Sequence, residues 1–481
     1  MHLISFKLVA AVIFIVLLAT GLYNTFKPMP AGLSRIAPSR PLYDVRLIPD
    51  VSWRTPSGQH FQSQGIFQEV FDLIAQARRM IVIDMFLFND SAPDDSFEPL
   101  AEKLTQSLVA RKQAVPELDV VVITDPLNTV YGGTRQTHFE RLRQAGITLV
   151  ETDLRPLRDS NPTWSALWRG CCQWFGNNPN GGWLPNAFEE GKVPLRSYLA
   201  LLNFKANHRK TLVVDDGDQL RGLVTSANPH AGSSRHWNTA ITFTGPAALD
   251  LLATEEAVMT LSGVAVPDWS LPGKVYPPKT AEGADLHGQV LTEAAIREAA
   301  IELIDRAGQG DRLDLAMFYL SHRGAVKALK AAHDRGATLR ILLDQNEDAF
   351  GHAKNGIPNR QVAFELNQAD VEVRWCNTAG EQCHNKLMML RDSQGLARLM
   401  LGSANLTRRN IDNYNLETSM LVTGTADAPA MVTATELFDR LWMNGPGSTP
   451  VFSLPYSANA DESRFRYWQY RFMEATGFST F

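Results

Sequence analysis

Two short segments place an imidazole and an ammonium two residues apart: NHRKTLVVDD (207–216) and HNKLMMLRD (384–392). Side chains alternate faces along a strand, so His208 and Lys210 point one way together, as do His384 and Lys386. After each segment a hairpin returns the chain to an S-x-N triplet, Ser226 to Asn228 in the first and Ser403 to Asn405 in the second. The return strand would set hydroxyl and amide groups beside the same imidazole. Such a set suits a phosphodiester. Lysines and asparagines can hold the non-bridging oxygens, one imidazole can attack phosphorus, and the other can protonate the departing oxygen. No metal or cofactor is required, and zinc is a poor reading because only Cys383, next to His384, stands near either pair.

A lone H-x-K is more often a surface strand end than a catalytic site. Two copies, each followed by S-x-N after nearly equal gaps, reverse that reading. The remaining histidines, His230, His236 and His322 among them, read as ordinary polar residues.

The elements around these motifs are duplicated. IVIDMFLFND (81–90) resembles RLDLAMFYLSH (312–322), each an apolar run ending in M-F-x-x; LDVVVITDP (118–126) matches LRILLDQ (339–345); HFERLRQAGITLVE (138–151) matches AFELNQADVEVRW (363–375). Strand-like runs alternating with helical stretches such as RGAVKALKAAHDRGA (323–337) indicate an α/β fold. The expectation is two pseudo-twofold lobes, each a mixed, mostly parallel sheet flanked by helices, with the active site at their interface. By this reading an N-terminal transmembrane segment (1–27) and a Pro-rich linker (28–45) precede the first lobe (46–270). A second linker (271–290) leads to the second lobe (291–445) and a basic, aromatic tail (446–481).

The halves differ in one place. The first carries extra residues, roughly 154 to 202, before its H-x-K motif, including Trp164, Trp168, Trp174 and Trp183 in a Gly/Asn/Pro setting. So long a loop is usually functional or disordered, and the tryptophans argue against disorder.

HRKTLVVD (208–215) fits H-x-K-x4-D, and HNK (384–386) with GSANLTRRNIDNYNLE (402–417) resembles the C-terminal signature of the phospholipase D superfamily, bacterial cardiolipin synthases included. The resemblance covers most of residues 46–445 and is specific for the superfamily, not for a substrate. It implies His208 as the nucleophile that forms a phosphohistidine and His384 as the general acid that later activates water or an alcohol. It further implies Lys210, Lys386, Asn228 and Asn405, with Ser226 and Ser403, around the phosphate. Asp215 completes the first motif, where the family uses it mainly for structure, and Glu417 matches the acid that orients a catalytic histidine. Two departures stand out. Arg391 occupies the second motif's aspartate position, with Asp392 one residue late, and a bulge in the longer second hairpin could restore Asp392. At the spacing of Glu417 from Asn405, the first half has Ala240, so His208 must find its acid elsewhere or do without.

The uncharged run Leu8 to Tyr23 is long enough for one membrane span, and a cleaved signal peptide is the competing reading. An anchored protein of a bacterial inner membrane is expected. Lys27, Arg35 and Arg40 after the span favour a cytoplasmic body by charge count, although the side stays open. Cys376 and Cys383 could close a small loop, adjacent Cys171 and Cys172 rarely bond each other, and four free thiols are an equal reading. With 46 basic and 51 acidic residues, the formal charge of -5 gives no global reason for a polyanion partner. The anchor, the charge and the tryptophans favour a phospholipid substrate and a bilayer partner. A membrane-anchored nuclease, with a groove built from Arg235, Arg408 and Arg409, is the enzymatic rival. A non-catalytic lipid-binding scaffold is the third reading. Two lobes suffice for a monomeric site, and sequence leaves the oligomeric state open.

Overall fold

The computed structural model describes residues 2–54, 59–91, 97–269, 285–346, 348–349, 352–353, 355–444, 450–479 and 481. One mixed sheet of sixteen strands runs through both halves, hinged where Arg40–Leu42 pairs antiparallel with Leu286–Gly288. Outward from this hinge the first half continues through Asn238–Thr244, Gln219–Thr225, Lys210–Asp216, Met80–Met85, Asp119–Thr124 and Thr148–Glu151. The second half repeats that order with Thr418–Thr425, Leu396–Gly402, Lys386–Arg391, Arg312–Met317, Thr338–Leu343 and Val373–Cys376, then adds Ser453–Pro455.

The sheet doubles back at the hinge. Val213, Val224 and Ile241 of the first half share a core with Leu387, Leu399 and Met420 of the second. The outer faces carry separate cores under helices such as Ile66–Gln76 and Leu100–Ala114 on one side and Ala294–Arg306 and Arg323–Asp334 on the other. MIVIDM (80–85) is therefore apolar with hardly any alternation, because both faces are covered.

Parallel pairing is narrower than expected. Among the described strands, parallel ladders join Met80–Met85, Asp119–Thr124 and Thr148–Glu151, and their counterparts Arg312–Met317, Thr338–Leu343 and Val373–Cys376, with further parallel contacts only as isolated bridges. The strands bearing the H-x-K and S-x-N motifs are joined by tight hairpins, which permit only antiparallel pairing.

The linkers are also more structured than their composition suggests. Ala37 N–H donates to Val290 O, and Arg40 already opens the first strand. Most of the second linker lies outside the described residues, but its end, from Leu286, is strand. The terminal segment supplies the edge strand Ser453–Pro455 and the helix Arg464–Thr476. Cys376 is bonded to Cys383. Cys171 is bonded to Cys172, contrary to the expectation for adjacent cysteines, at the end of helix Pro162–Cys171.

Candidate active site

Both H-x-K motifs open strands that lie in the shared core, and each H-x-K segment is strapped to the opposite half. His208 N–H donates to Leu416 O at 2.8 Å, Leu416 N–H donates to Ala206 O at 2.9 Å, and Trp237 N–H donates to Gln382 O at 2.9 Å. His208, His384, Asn228 and Asn405 consequently line one cavity of about 800 Å³.

The two halves repeat the same local wiring. Lys210 Nζ donates to His208 O at 2.6 Å and lies 5.0 Å from the Phe86 ring centre. Lys386 Nζ donates to His384 O at 2.8 Å and lies 5.0 Å from the Phe318 ring centre. Phe86 and Phe318 also set their edges against His208 and His384, at 4.8 and 5.0 Å. Asn228 Oδ1 accepts from Leu87 N–H and Asn405 Oδ1 from Tyr319 N–H, which leaves each amide nitrogen available to an anion in the cavity.

Glu417 answers the question of what holds His208. His208 Nδ1–H donates to the Glu417 carboxylate at 3.0 Å, across the lobe boundary. Ser403 Oγ–H and Asn410 Nδ2 also donate to Glu417. In the other half His384 Nδ1–H donates to Asn238 Oδ1 at 3.0 Å, and Ser226 Oγ–H donates to the same oxygen at 2.9 Å. The matching backbone bonds, Ser226 N–H to Thr239 O and Ser403 N–H to Thr418 O, make Asn238 the counterpart of Glu417. Counting from the asparagines led to Ala240 because the turn after Asn228 is two residues shorter than the turn after Asn405. Both serines are fully buried and hold the orienting residues; their hydroxyls are already donated, which corrects their expected place around the phosphate.

Asp215 lies at the far end of its strand, where its carboxylate accepts the backbone N–H groups of Arg78, Arg79 and Met80. Asp392 does not replace its missing counterpart. The strands Arg312–Met317 and Lys386–Arg391 pair without a bulge, so Arg391 keeps the position and bonds Asp314. The extra residue is absorbed in the hairpin turn, where Asp392 accepts from Gln394 and Leu396 N–H.

Several site residues escaped the motif search. Asp125 accepts from Asn207 N–H at 2.6 Å, and Asp344 from Cys383 N–H at 2.8 Å, so each fixes the backbone entering the histidine of an H-x-K motif. Both aspartates close the aligned runs ITDP and LLDQ, which was their available signal. His230 and His236, expected to be ordinary, line the cavity, and His236 Nδ1 accepts from Gln382 N–H. The insertion contributes Ala187, Phe188, Glu189 and Leu201 to the wall, and Phe481 reaches it from the C-terminus. Of the three arginines considered for a groove, Arg409 lines the cavity, and Arg408 is bonded to the Tyr414 hydroxyl.

Burial governs the electrostatics. It lowers His208 to about 4 against the pull of Glu417, and lowers Lys210 to about 7. Burial, then neighbouring Lys386 and His236, push His384 well below its ordinary value; burial and Lys210 do the same to Lys386. Burial would raise Glu417, but His208, Lys210 and the Ser403 hydroxyl hold it below the usual carboxylate range. Ionised Glu417 therefore accepts from neutral His208, and the cavity gathers more potential cations than anions. Such a site favours an anion that can restore the lysine charges.

Residues 300–442 match the family described as cardiolipin synthase, PLD-like domain. No match is found among curated proteins. Among solved structures the chain is similar to phosphatidylserine synthase of Haemophilus influenzae Rd KW20, at 11% identity over 91% of this chain and 94% of that one, with a TM-score of 0.54. Looser similarities are to polyphosphate kinase of Porphyromonas gingivalis (13% identity, 90% of this chain, 53% of that one, TM-score 0.46) and to Nuc of Salmonella typhimurium, a phospholipase D family member (16% identity, 33% of this chain, 97% of that one, TM-score 0.26). These last two are too loose to bear on the fold. Residues 300–442, most of the second half, thus match a PLD-like domain, and the first half repeats its strand order and its H-x-K wiring.

Proposed function

We propose that the chain is a membrane-anchored phosphodiesterase or phosphatidyltransferase that acts on glycerophospholipids through a phosphohistidine. The observation that carries this reading is the pair of imidazoles from opposite halves facing one cavity, with His208 bonded to a carboxylate and His384 to an amide. With its Nδ1 proton held by Glu417, His208 presents the Nε2 lone pair. The carboxylate stabilises positive charge as Nε2 bonds to phosphorus. Asn238 fixes His384 in the same orientation without a full negative charge, so a His384 imidazolium gives up its proton more readily. Lys210, Lys386, Asn228 and Asn405 hold the non-bridging oxygens. The P–O bond to the departing alcohol breaks as His384 protonates that oxygen. Neutral His384 then takes the proton of water or an incoming hydroxyl, which attacks phosphorus and releases His208.

The aromatic wall of Phe86, Phe188, Phe204, Phe318 and Phe481 favours a lipid over a polyanion. The matched family's description and the phosphatidylserine synthase neighbour point the same way. Phe6–Phe26 is long and apolar enough to cross a bilayer, which supports a single N-terminal anchor. The test offers the purified chain phosphatidylglycerol, phosphatidylethanolamine and single-stranded DNA separately, with His208→Ala as control. Cardiolipin or phosphatidic acid as product supports the reading. DNA cleavage without lipid product overturns it in favour of a nuclease, and no turnover with any substrate favours a binding scaffold.

A further inference from the structure

The height at which the body sits on its membrane is set by the packing of the N-terminal helix His2–Phe26. Its last turns present Leu17, Thr20, Gly21, Asn24 and Thr25 inward, and they pack on helix Pro162–Cys171 of the insertion. A Cβ built on Gly21 would lie 3.4 Å from Pro162 O and 3.6 Å from Ala166 Cβ, so the two helices are in close contact there. The chain leaving the helix is clamped too: Asp159 N–H donates to Asn24 O at 2.9 Å, and Arg158 Nε donates to Lys27 O at 2.7 Å. The Pro-rich stretch that follows is docked, so the body cannot ride away from the bilayer on a tether.

The lengths then force a choice. Residues 6–16 are exposed on every side, and at 1.5 Å per residue they span only about 16 Å. A hydrocarbon core is about 30 Å thick, so the outward-facing part alone crosses roughly half of it. If the helix spans, its packed turns and the insertion helix beside them lie inside the membrane boundary.

The surface next to this contact has the matching chemistry. Leu167, Trp174, Phe175 and Trp183 of the insertion are exposed, Trp174 by 72%. Helix Arg464–Thr476 buries Tyr470 and Glu474 and turns Phe465, Trp468 and Phe472, spaced three and four residues apart, to the outside. Its C-terminal end meets the insertion, with Gly477 against Ser160 O and the Phe478 ring 6.4 Å from Phe204. Phe204 and Phe481 also line the catalytic cavity.

Building on the reading of the N-terminal helix as a membrane span, we infer that the insertion and the C-terminal helix form a seat sunk into the bilayer interface, from which a lipid reaches the cavity past Phe204. Exposed tryptophans and phenylalanines suit this zone, where the rings contact acyl chains, and the Trp174 N–H is already donated to Arg169 O.

The test uses the full chain in vesicles of phosphatidylglycerol and phosphatidylethanolamine, with a benzophenone amino acid placed at Trp174, at Phe472, or at Asp218. Asp218 is the control because its hairpin turn is at the end of the strand farthest from His208. Lipid adducts at Trp174 and Phe472 several-fold above Asp218 support the seat; adducts at the Asp218 level overturn it. The double variant Trp174→Ser, Phe175→Ser should lose about tenfold or more of turnover on vesicle lipid, from lost apolar burial. It should keep turnover of bis(p-nitrophenyl) phosphate, and equal loss on both substrates overturns the seat. Control-level adducts with His208-dependent lipid turnover intact overturn the seat alone. Lipid adducts without any lipid turnover support the seat and overturn the proposed function instead.

Discussion

His208 and His384 have nearly superimposable surroundings and different electrostatic partners. Each receives a ring edge from a phenylalanine, a lysine on its own carbonyl and a buried serine behind its orienting residue. The first faces Glu417 and the second Asn238. On the proposed mechanism the repeated geometry divides the chemistry, because a carboxylate strengthens an imidazole as a base and nucleophile while an amide leaves its conjugate acid stronger.

The largest way to break this comparison is to remove each ring. His208→Ala and His384→Ala should each lower lipid turnover by about 10²–10⁴-fold. With p-nitrophenyl leaving groups, which need no acid, His384→Ala should still accumulate the phosphoryl adduct and His208→Ala should not. Mass spectrometry of the quenched protein distinguishes them, and an adduct on His208→Ala would reverse the roles.

Exchanging the partners sharpens it further. Glu417→Gln makes both settings amides and should cost about 10- to 100-fold in turnover, the worth of a charge-assisted hydrogen bond of about 1.5–3 kcal/mol. Asn238→Asp makes both carboxylates and should raise the His384 titration in an NMR experiment, leaving His208 little changed.

The pH profile of kcat/KM should show both protonation states. On the proposed mechanism neutral His208 is the active form, so activity rises with pH through about 4; charged Lys210 and protonated His384 are the active forms, so activity falls by the time pH passes about 7, and earlier where His384, held well below its ordinary value by burial, loses its proton first. A maximum well above 7 would contradict this assignment.

The smallest contrast is between Asp215 and Asp392. Asp215→Ala strands three backbone N–H groups and should destabilise the fold by about 1–3 kcal/mol. Asp392→Ala, in an open turn, should cost about 1 kcal/mol or less in a urea titration, with turnover unchanged.

The duplication, the shared cavity and the H-x-K pairs were legible because strand alternation and motif spacing are local properties. Asp125 and Asp344 were visible as matched run ends, but their task lies in backbone contacts more than thirty residues away in sequence. Asn238 was hidden by a two-residue difference between turns, which spacing from Asn228 could not absorb. The exchange of partners across the boundary, Glu417 to His208 and Asn238 to His384, follows from how the sheet folds back and left no mark in either half's sequence. The same holds for Asp392. Only the strand register decides between it and Arg391.

The reciprocal straps from His208 to Leu416 and from Trp237 to Gln382 have a consequence for how this sequence can drift. A change near residue 416 is felt first at the histidine of the other half, and a change near residue 237 at His384. The two copies are therefore heritable only as a matched pair, and a mutational scan of one half should map most clearly onto the titration of the other.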